Sequence, residues 1–450
     1  MGKLFGTDGI RGTANQYPLT AEVARRVGRA VASVFGRARH QAKIIIGKDT
    51  RPSCDMLESA LASGVCSAGA DACLAGILPT PAVAYLAAAT DACAGIMISA
   101  SHNPFYDNGI KIFDGTGLKL DDHQEEQLEY LILNENAADA RSKPARREGS
   151  VEKFQDAVER YLGFLQGSLP EKTVFKDQKV IVDCANGATY AVAPRLLHTL
   201  GARVEAMGVS PDGKNINAGC GSENPQALVD AVIAKKADIG LAFDGDGDRL
   251  IAVDETGRLI TGDRLLAIFA RAFKQKGLLK NNLVVSTVMS NLGLRRALKN
   301  LGIDYLMAPV GDRYVLEQMQ ARGAMIGGED SGHMIFLDRH TTGDGLLAAI
   351  RLLQIMRDEN KPLSELGRVM QVFPQVLLNI EVQNKPEIEN IPQIRDAIRR
   401  VENRLGAQGR VLVRYSGTQP LCRVMVEGPV EEETRRYCRQ IADAVKATIG

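Results

Sequence analysis

Two short segments of this chain carry residues able to do chemistry together. Ser99-Ala100-Ser101-His102-Asn103-Pro104 offers a serine hydroxyl in a turn-forming context, with Pro104 barring helical continuation. Asp244-Gly245-Asp246-Gly247-Asp248-Arg249 sets three carboxylates two residues apart, so an extended backbone points all three to one side. Hard oxygen donors of that kind suit Mg2+, which takes a few carboxylates and completes its shell with phosphate oxygens. A phosphate carried by Ser101 supplies such an oxygen. The two loops point to metal-assisted phosphoryl transfer through a phosphoserine.

Each loop also has a blander reading. Ser101 alone reads as a turn serine, but His102, Asn103, Asn108 and Lys111 crowd around it and Gly109 permits close backbone approach. A hydrolase triad is disfavoured, because adjacent Ser101 and His102 are expected to be poorly placed for a nucleophile–base bond and no G-x-S-x-G elbow surrounds them. An EF-hand is also disfavoured. Glu255 falls at the right distance from Asp244, but Arg249 stands where that loop needs glycine, and the flanks read as strands. Three clustered carboxylates repel one another unless a cation compensates them.

Further along, Glu329, Ser331 and His333 alternate on a glycine-flanked loop. A carboxylate beside a hydroxyl suits vicinal sugar hydroxyls, with an ordinary surface turn as the alternative. Arg414-Tyr415-Ser416-Gly417-Thr418-Gln419-Pro420 joins a guanidinium, two hydroxyls and glycine-exposed N–H groups, a plausible phosphate cradle. The glycine-rich Gly6–Gly12 segment carries Arg11, and Gly47–Ser53 is a basic strand-end loop. His40, His123, His198 and His340 stand alone and read as surface or packing residues.

The elements that must position these loops repeat three times. Lys43–Gly47, Val180–Asp183 and Leu283–Ser286 are apolar, β-branched strands, each followed by a helical stretch and a second strand opened by Gly69, Gly201 or Gly302. Third strands at Gly95–Ile98, Ile239–Phe243 and Ala324–Gly327 deliver the serine, carboxylate and mixed polar loops. Strands alternating with helices predict an α/β fold: three similar domains with mixed, largely parallel sheets, and a smaller C-terminal α+β domain, around a central cleft. The expected boundaries are 1–150 for the serine-loop domain, 151–255 for the metal-binding domain, 256–370 for the sugar-binding domain and 371–450 for the phosphate-binding domain. Residues 134–153 read as a linker, and Asp254–Arg258 as a hairpin turn. Val23, Val27, Ala30, Val31 and Val34 form a core-facing helical stripe entered at Thr20 and left at Gly36.

Composition narrows the partners. With 55 basic against 54 acidic residues, no broad field favours nucleic acid or an anionic membrane, so attraction for an anion must be local. No apolar run is long enough to span a bilayer, and the N-terminus has no leader-like apolar segment. The eight cysteines lack a C-x-x-C pair and read as reduced, buried thiols, which with the rest predicts a cytoplasmic protein.

Taken in order, these loops resemble the α-D-phosphohexomutase superfamily, and within it most closely the bacterial phosphoglucosamine mutase family. The resemblance runs through Phe5–Gly12, Ile98–Ile112, Phe243–Arg249, Gly328–His333 and Arg414–Pro420. It implies interconversion of glucosamine 6-phosphate and glucosamine 1-phosphate through glucosamine 1,6-bisphosphate, feeding UDP-N-acetylglucosamine synthesis. It also implies one Mg2+ per chain and a homodimer. Ser101 becomes the phosphoserine, and Asp244, Asp246 and Asp248 bind Mg2+ together with a phosphate oxygen on Ser101. Glu329 and Ser331 hold the sugar hydroxyls; Arg414, Ser416, Gly417 and Thr418 hold the phosphate that is not transferred. Lys111, Arg11, His102 and His333 surround the reacting oxygens. Gln419 and Asp330 depart from the family's usual Glu and Gln. The alternatives are a phosphoglucomutase or phosphomannomutase, which share these loops, and a non-enzymatic calcium- or sugar-phosphate-binding protein.

Overall fold

In the computed structural model, which describes residues 4–6, 8–36, 41–134, 148–171, 173–416 and 420–450, the β-branched runs become buried strands of four sheets. The first sheet has the order β1-β5-β4-β2-β3-β6, built from Ile10–Thr13 (β1), Lys43–Lys48 (β2), Asp71–Ile77 (β3), Ala94–Ile98 (β4), Asp107–Asp114 (β5) and Val151–Lys153 (β6). Ile44 and Ile46 pack with Val27, Leu57 and Leu61 of the helices Ala21–Phe35 and Cys54–Ser67, while Ile45 is buried on the other face. A strand covered on both faces has no polar side to show, which is why β2 reads as a continuous apolar run. Each fully buried isoleucine contributes roughly 1.5–3 kcal/mol of transfer free energy. The predicted stripe at Val23–Val34 lies on the helix Ala21–Phe35, and Thr20 Oγ1 caps it by accepting from Val23 N at 3.3 Å.

The second sheet, β11-β10-β9-β7-β8, comprises Lys179–Asp183 (β7), Arg203–Met207 (β8), Ile239–Phe243 (β9), Leu250–Asp254 (β10) and Leu259–Ile260 (β11). The third, β13-β12-β14-β15, comprises Leu283–Thr287 (β12), Asp304–Ala308 (β13), Ile326–Gly328 (β14) and Met334–Phe336 (β15). One arrangement recurs in all three sheets. β4, β9 and β14 each pair in parallel on one side, with β2, β7 and β12. On the other side each pairs antiparallel with the strand that follows it, β5, β10 or β15. The serine, carboxylate and mixed polar loops are therefore the same turn, from a parallel strand into its antiparallel return, made three times. The threefold pattern read from the sequence is the pattern of the fold.

One feature was not anticipated. The stretch expected to be a linker contributes β6, a three-residue exposed edge strand paired with β3, whose Val-Glu-Lys sequence is too short and polar to signal a strand. The rest of that linker, 135–147, lies outside the described residues. The Asp254–Arg258 turn is present: Asp254 Oδ1 accepts from Thr256 N and Arg258 N, and Gly257 takes φ 85°.

These elements divide into two compact units, Met1–Val288 with Ile303–Arg368, and Met289–Gly302 with Val369–Gly450. The second unit is built on an all-antiparallel sheet, β16-β18-β17, from Gln375–Glu381 (β16), Arg410–Tyr415 (β17) and Leu421–Glu427 (β18). Val424 and Val426 pack against Ile394, Val401, Ile441 and Val445 of the helices Pro392–Leu405 and Glu431–Ile449. The helix Leu292–Asn300 belongs here too, held where Asn291 Nδ2 donates to Phe373 O at 2.9 Å. Among the described residues, no helix is long and apolar enough to cross a membrane.

Candidate active site

Ser101 sits one turn beyond β4, and its backbone takes the left-handed conformation at φ 53°, costly for a residue with a side chain. What holds it there is a clamp on its loop. The Arg51 side chain is fully buried; its Nε donates to Asp49 Oδ2 at 2.8 Å, and its fork donates to Ser101 O at 3.0 Å, Asn103 O at 2.8 Å, Asp107 O at 3.1 Å and Pro104 O. Asp49 is itself fixed by Ser99 Oγ at 2.6 Å, and Ser99 Oγ accepts from Ser101 N at 2.9 Å. From the second sheet's side, Asn217 Nδ2 donates to Ser101 O and Asn103 O.

The clamp delivers the Ser101 hydroxyl to the carboxylate loop. Ser101 Oγ donates to Asp244 Oδ2 at 2.5 Å. His102 Nδ1 lies 3.3 Å from the same oxygen, which corrects the expectation that these adjacent side chains are badly placed for each other. The left-handed turn at Ser101 is what brings them together. Gly245 is required by the same approach, since a Cβ there would lie 2.6 Å from Ser101 O and 2.8 Å from Asn217 Nδ2.

Asp244, Asp246 and Asp248 offer one oxygen each within 4.8 Å of one another, and all three are buried. Their flanks are β9 and β10, strands and not the helices of an EF-hand. Asp246 Oδ2 accepts from Thr80 Oγ1 at 2.5 Å and Lys111 Nζ at 2.8 Å, but Oδ1 of Asp246 and Oδ1 of Asp248 are buried with no hydrogen-bond partner. Two orphaned carboxylate oxygens beside a third carboxylate form a hard, anionic donor set that fits a divalent cation. Burial pushes the Asp244 carboxyl well above its ordinary range, and the neighbouring charges of Asp248 and Asp246 push the same way.

Cations border the trio. Lys111 Nζ, 1% exposed, lies 2.8 Å from Asp246 and 3.2 Å from Asp248. Burial opposes its charge, yet Asp246, Asp248 and Asp8 outweigh that and hold it well above the usual lysine range. For Asp248, burial favours the neutral acid, but Lys111 and then His333 reverse this and the carboxyl stays well below its ordinary value. His333 Nδ1 lies 3.7 Å from Asp248 Oδ2; against the effect of burial, Asp248 and Asp312 raise its imidazole above the usual value. His102 moves the other way, lowered by burial and by the charge of Arg249. Arg11 reaches Ala100 O at 3.5 Å and pairs with Asp8.

Of the remaining expected residues, Glu329 Oε1 accepts from Gly311 N at 3.0 Å, and Ser331 Oγ is buried without a partner on the same loop. Arg249 and His333 are bridged backbone to backbone, which ties the carboxylate loop to the Glu329–His333 loop. Arg414 lies on β17 in the second unit, its Nε buried without a hydrogen-bond partner, and Ser416 N donates to Leu421 O. Gly417, Thr418 and the departing Gln419 lie outside the described residues. His340, read as a surface or packing residue, is buried, with Nε2 2.9 Å from Pro81 O. Arg51, Asp49, Asn217, Thr80, Asp8, Lys119 and Asp312 were not singled out from the sequence. Arg51 and Asp49 carried a signal as charged residues on a strand-end loop, and Asp8 as part of the glycine-rich Gly6–Gly12 segment.

A serine hydroxyl against a carboxylate trio, on like turns of like α/β sheets, is the arrangement of a phosphoryl-transfer enzyme. Four domain models described as phosphoglucomutase/phosphomannomutase match the chain: α/β/α domain I at residues 2–139, domain II at 158–257, domain III at 261–373 and the C-terminal domain at 377–444. The chain belongs to this phosphoglucomutase/phosphomannomutase family, among its phosphoglucosamine mutases. It is 56% identical over 450 residues to the phosphoglucosamine mutase of Syntrophus aciditrophicus (strain SB), covering 100% of both chains. It is likewise 56% identical to that of Syntrophobacter fumaroxidans (strain DSM 10017 / MPOB), again over 100% of both. Among solved structures, a phosphoglucomutase/phosphomannomutase family protein from Burkholderia thailandensis superposes with a TM-score of 0.80 at 28% identity, covering 98% of this chain and 97% of that one.

Proposed function

We propose that the chain interconverts glucosamine 6-phosphate and glucosamine 1-phosphate through a phosphorylated Ser101, with glucosamine 1,6-bisphosphate as the intermediate. The observation that carries this reading is the 2.5 Å hydrogen bond from Ser101 Oγ to Asp244 within the buried carboxylate trio. The full-length likeness to phosphoglucosamine mutases selects the amino sugar.

Asp244, Asp246 and Asp248, with a phosphate oxygen on Ser101, hold one Mg2+, the divalent ion that suits carboxylate and phosphate oxygens. When bound, Mg2+ offsets negative charge on the phosphoryl oxygens. In the first half-reaction the bond from phosphorus to Ser101 Oγ breaks and a bond to O1 of glucosamine 6-phosphate forms. O1 gives up its proton and Ser101 Oγ regains one. In the second half the bisphosphate turns round, the bond from phosphorus to O6 breaks and one to Ser101 Oγ forms; Ser101 Oγ gives up its proton and O6 takes one, leaving the 1-phosphate. Lys111 and Arg11 supply fixed positive charge beside this exchange, and His102 and His333 carry the proton. Glu329 and Ser331 hold sugar hydroxyls, while Arg414, Ser416, Gly417 and Thr418 hold the phosphate not being transferred. This assignment follows the division at residues 150, 255 and 370. The eight cysteines, none in a disulfide, support a reducing, cytoplasmic setting.

The test is conversion of each 6-phosphate by purified protein with Mg2+ and catalytic bisphosphate, followed by phosphorus NMR. The expected result is a higher kcat/KM for glucosamine 6-phosphate than for glucose or mannose 6-phosphate. Equal or better use of the non-amino sugars would overturn the substrate assignment.

A further inference from the structure

We propose that Asp8, Lys119 and Asp312 are positioning residues which close a ring of alternating charges and thereby fix Lys111 and His333 against the aspartate trio. The ring can be followed atom by atom. From Asp248 Oδ2 it passes to Lys111 Nζ at 3.2 Å, and from Lys111 Nζ to Asp8 Oδ2 at 3.1 Å. Asp8 Oδ1 meets Lys119 Nζ at 2.5 Å, and the same ammonium meets Asp312 Oδ2 at 2.5 Å. Asp312 Oδ2 lies 3.4 Å from His333 Nε2, an atom that Gly343 N also approaches at 3.1 Å, and His333 Nδ1 returns to Asp248 Oδ2 at 3.7 Å.

The members come from separate parts of the fold. Asp8 precedes β1, Lys111 lies on β5 and Lys119 follows it, Asp312 opens the helix Asp312–Arg322, and His333 precedes β15. Lys119 is the keystone: among the described residues its ammonium alone bridges Asp8 and Asp312, two carboxylates outside the trio. Burial opposes its charge, but Asp312 and Asp8 outweigh that and keep it above the usual lysine range. Without Lys119, Asp8 would keep Lys111 and Arg11 but lose its tie to Asp312, and Asp312 would be left facing His333 with no ammonium to hold it in place. The same segment reaches the sugar loop, since Gly311 N, next to Asp312, donates to Glu329 Oε1. Lys119 is thus placed to fix Lys111 through Asp8 and His333 through Asp312, without itself touching the trio.

This inference rests on the mutase reading, and the experiment separates the two. If wild-type protein converts no hexose phosphate, the reading fails; if wild type is active, the variants decide the ring. Lys119→Met keeps the length of the side chain and removes its charge. We expect kcat to fall at least about tenfold while KM stays within about threefold, with far-ultraviolet circular dichroism unchanged. Lys119→Arg, which restores the charge, should recover most of that loss. Asp312→Asn should lose a similar factor, and the Lys119→Met/Asp312→Asn pair should be no worse than about twofold below the weaker single variant, as expected for residues acting as one unit. Should Lys119→Met not fold, Asp312→Asn with Asp8→Asn carries the same comparison. A kcat near wild type, a loss confined to KM, or multiplicative losses in the pair would overturn the ring.

Discussion

Ser101 Oγ and Asp244 Oδ2 meet at 2.5 Å across 143 positions of sequence. Neither loop achieves this alone: Arg51 and Asn217 hold the carbonyls of the serine loop, and Gly245 lets the carboxylate loop pass close beneath it. The chemistry proposed for the serine and the strain stored in its backbone are therefore separable by mutation. Ser101→Ala removes the phosphate acceptor and should lower mutase activity by at least about a thousandfold, roughly 4 kcal/mol of barrier. Intact mass of the wild type should show one phosphate, about 80 Da, that the variant lacks. Ser101→Gly should be equally inactive yet more stable than Ser101→Ala by about 1 kcal/mol, because glycine adopts φ 53° without cost. Denaturation midpoints check this, and equal midpoints for the two variants would remove the claim of strain.

The aspartate trio makes a prediction about stability as well as activity. Three buried carboxylates crowd one another, so replacing one by an amide relieves repulsion in the metal-free protein. In chelator, Asp244→Asn should melt at or above the wild type. Mg2+ at a hundred times its dissociation constant should stabilise the wild type by about 2.7 kcal/mol and the variant by much less. Chelation should abolish activity, and added Mg2+ restore it. Equal stabilisation of both proteins by Mg2+ would count against the trio as the metal site.

Arg51 offers a test of how far the serine loop depends on its clamp. Arg51→Lys keeps the charge beside Asp49 but replaces a planar fork with a point charge that cannot serve four carbonyls. Two or more lost bonds at about 1–2 kcal/mol each predict a stability loss of about 2–4 kcal/mol. A loop that no longer holds the serine in place should also cut kcat by about tenfold or more. Asn217→Ala leaves Arg51 intact and should show both effects in milder form. Thermal melts and steady-state kinetics decide it; an unchanged kcat in Arg51→Lys would show that the loop holds its own shape.

Much of this was legible in the sequence because the fold writes the same sentence three times. A β-branched strand buried on both faces, a glycine-opened second strand and a third strand ending in polar residues are local signals, and the loops they deliver include the serine and the three aspartates. The antiparallel returns β5, β10 and β15 were less visible, since their pairing depends on partners and not on composition. The ring residues were invisible for a different reason. Lys119 and Asp312 are single charges in ordinary surroundings, Asp8 lies in a glycine-rich segment that drew attention for Arg11, and Lys119 finds its partners 111 and 193 positions away. Nothing in a one-dimensional pattern distinguishes such a lysine from a solvated one. His102 was misjudged because sequence adjacency suggests side chains diverging, whereas a left-handed residue turns them together.

A last prediction concerns two buried groups outside the trio whose titrations oppose each other. Burial raises the Asp344 carboxyl to about 7, although Leu347 N and Tyr161 Oη donate to it at 2.9 Å each. Burial lowers the His340 imidazole to about 4. The signs follow from which state binds more protons. Between about 4 and 7 the folded protein binds more protons at Asp344 than the unfolded chain does, so this group makes stability fall as pH rises. Between about 4 and 6.5 the unfolded chain binds more protons at His340, so that group makes stability rise with pH. In the wild type the two largely cancel. Asp344→Asn, which keeps the amide side chain able to cap the helix Gly345–Glu359, should expose the histidine contribution and melt progressively lower, relative to wild type, as pH drops from 7 to 5. His340→Gln should do the reverse, losing stability relative to wild type as pH rises through the same interval. Melting curves at half-unit pH steps read both slopes, and parallel profiles for the two variants would mean that neither group is held away from its ordinary titration.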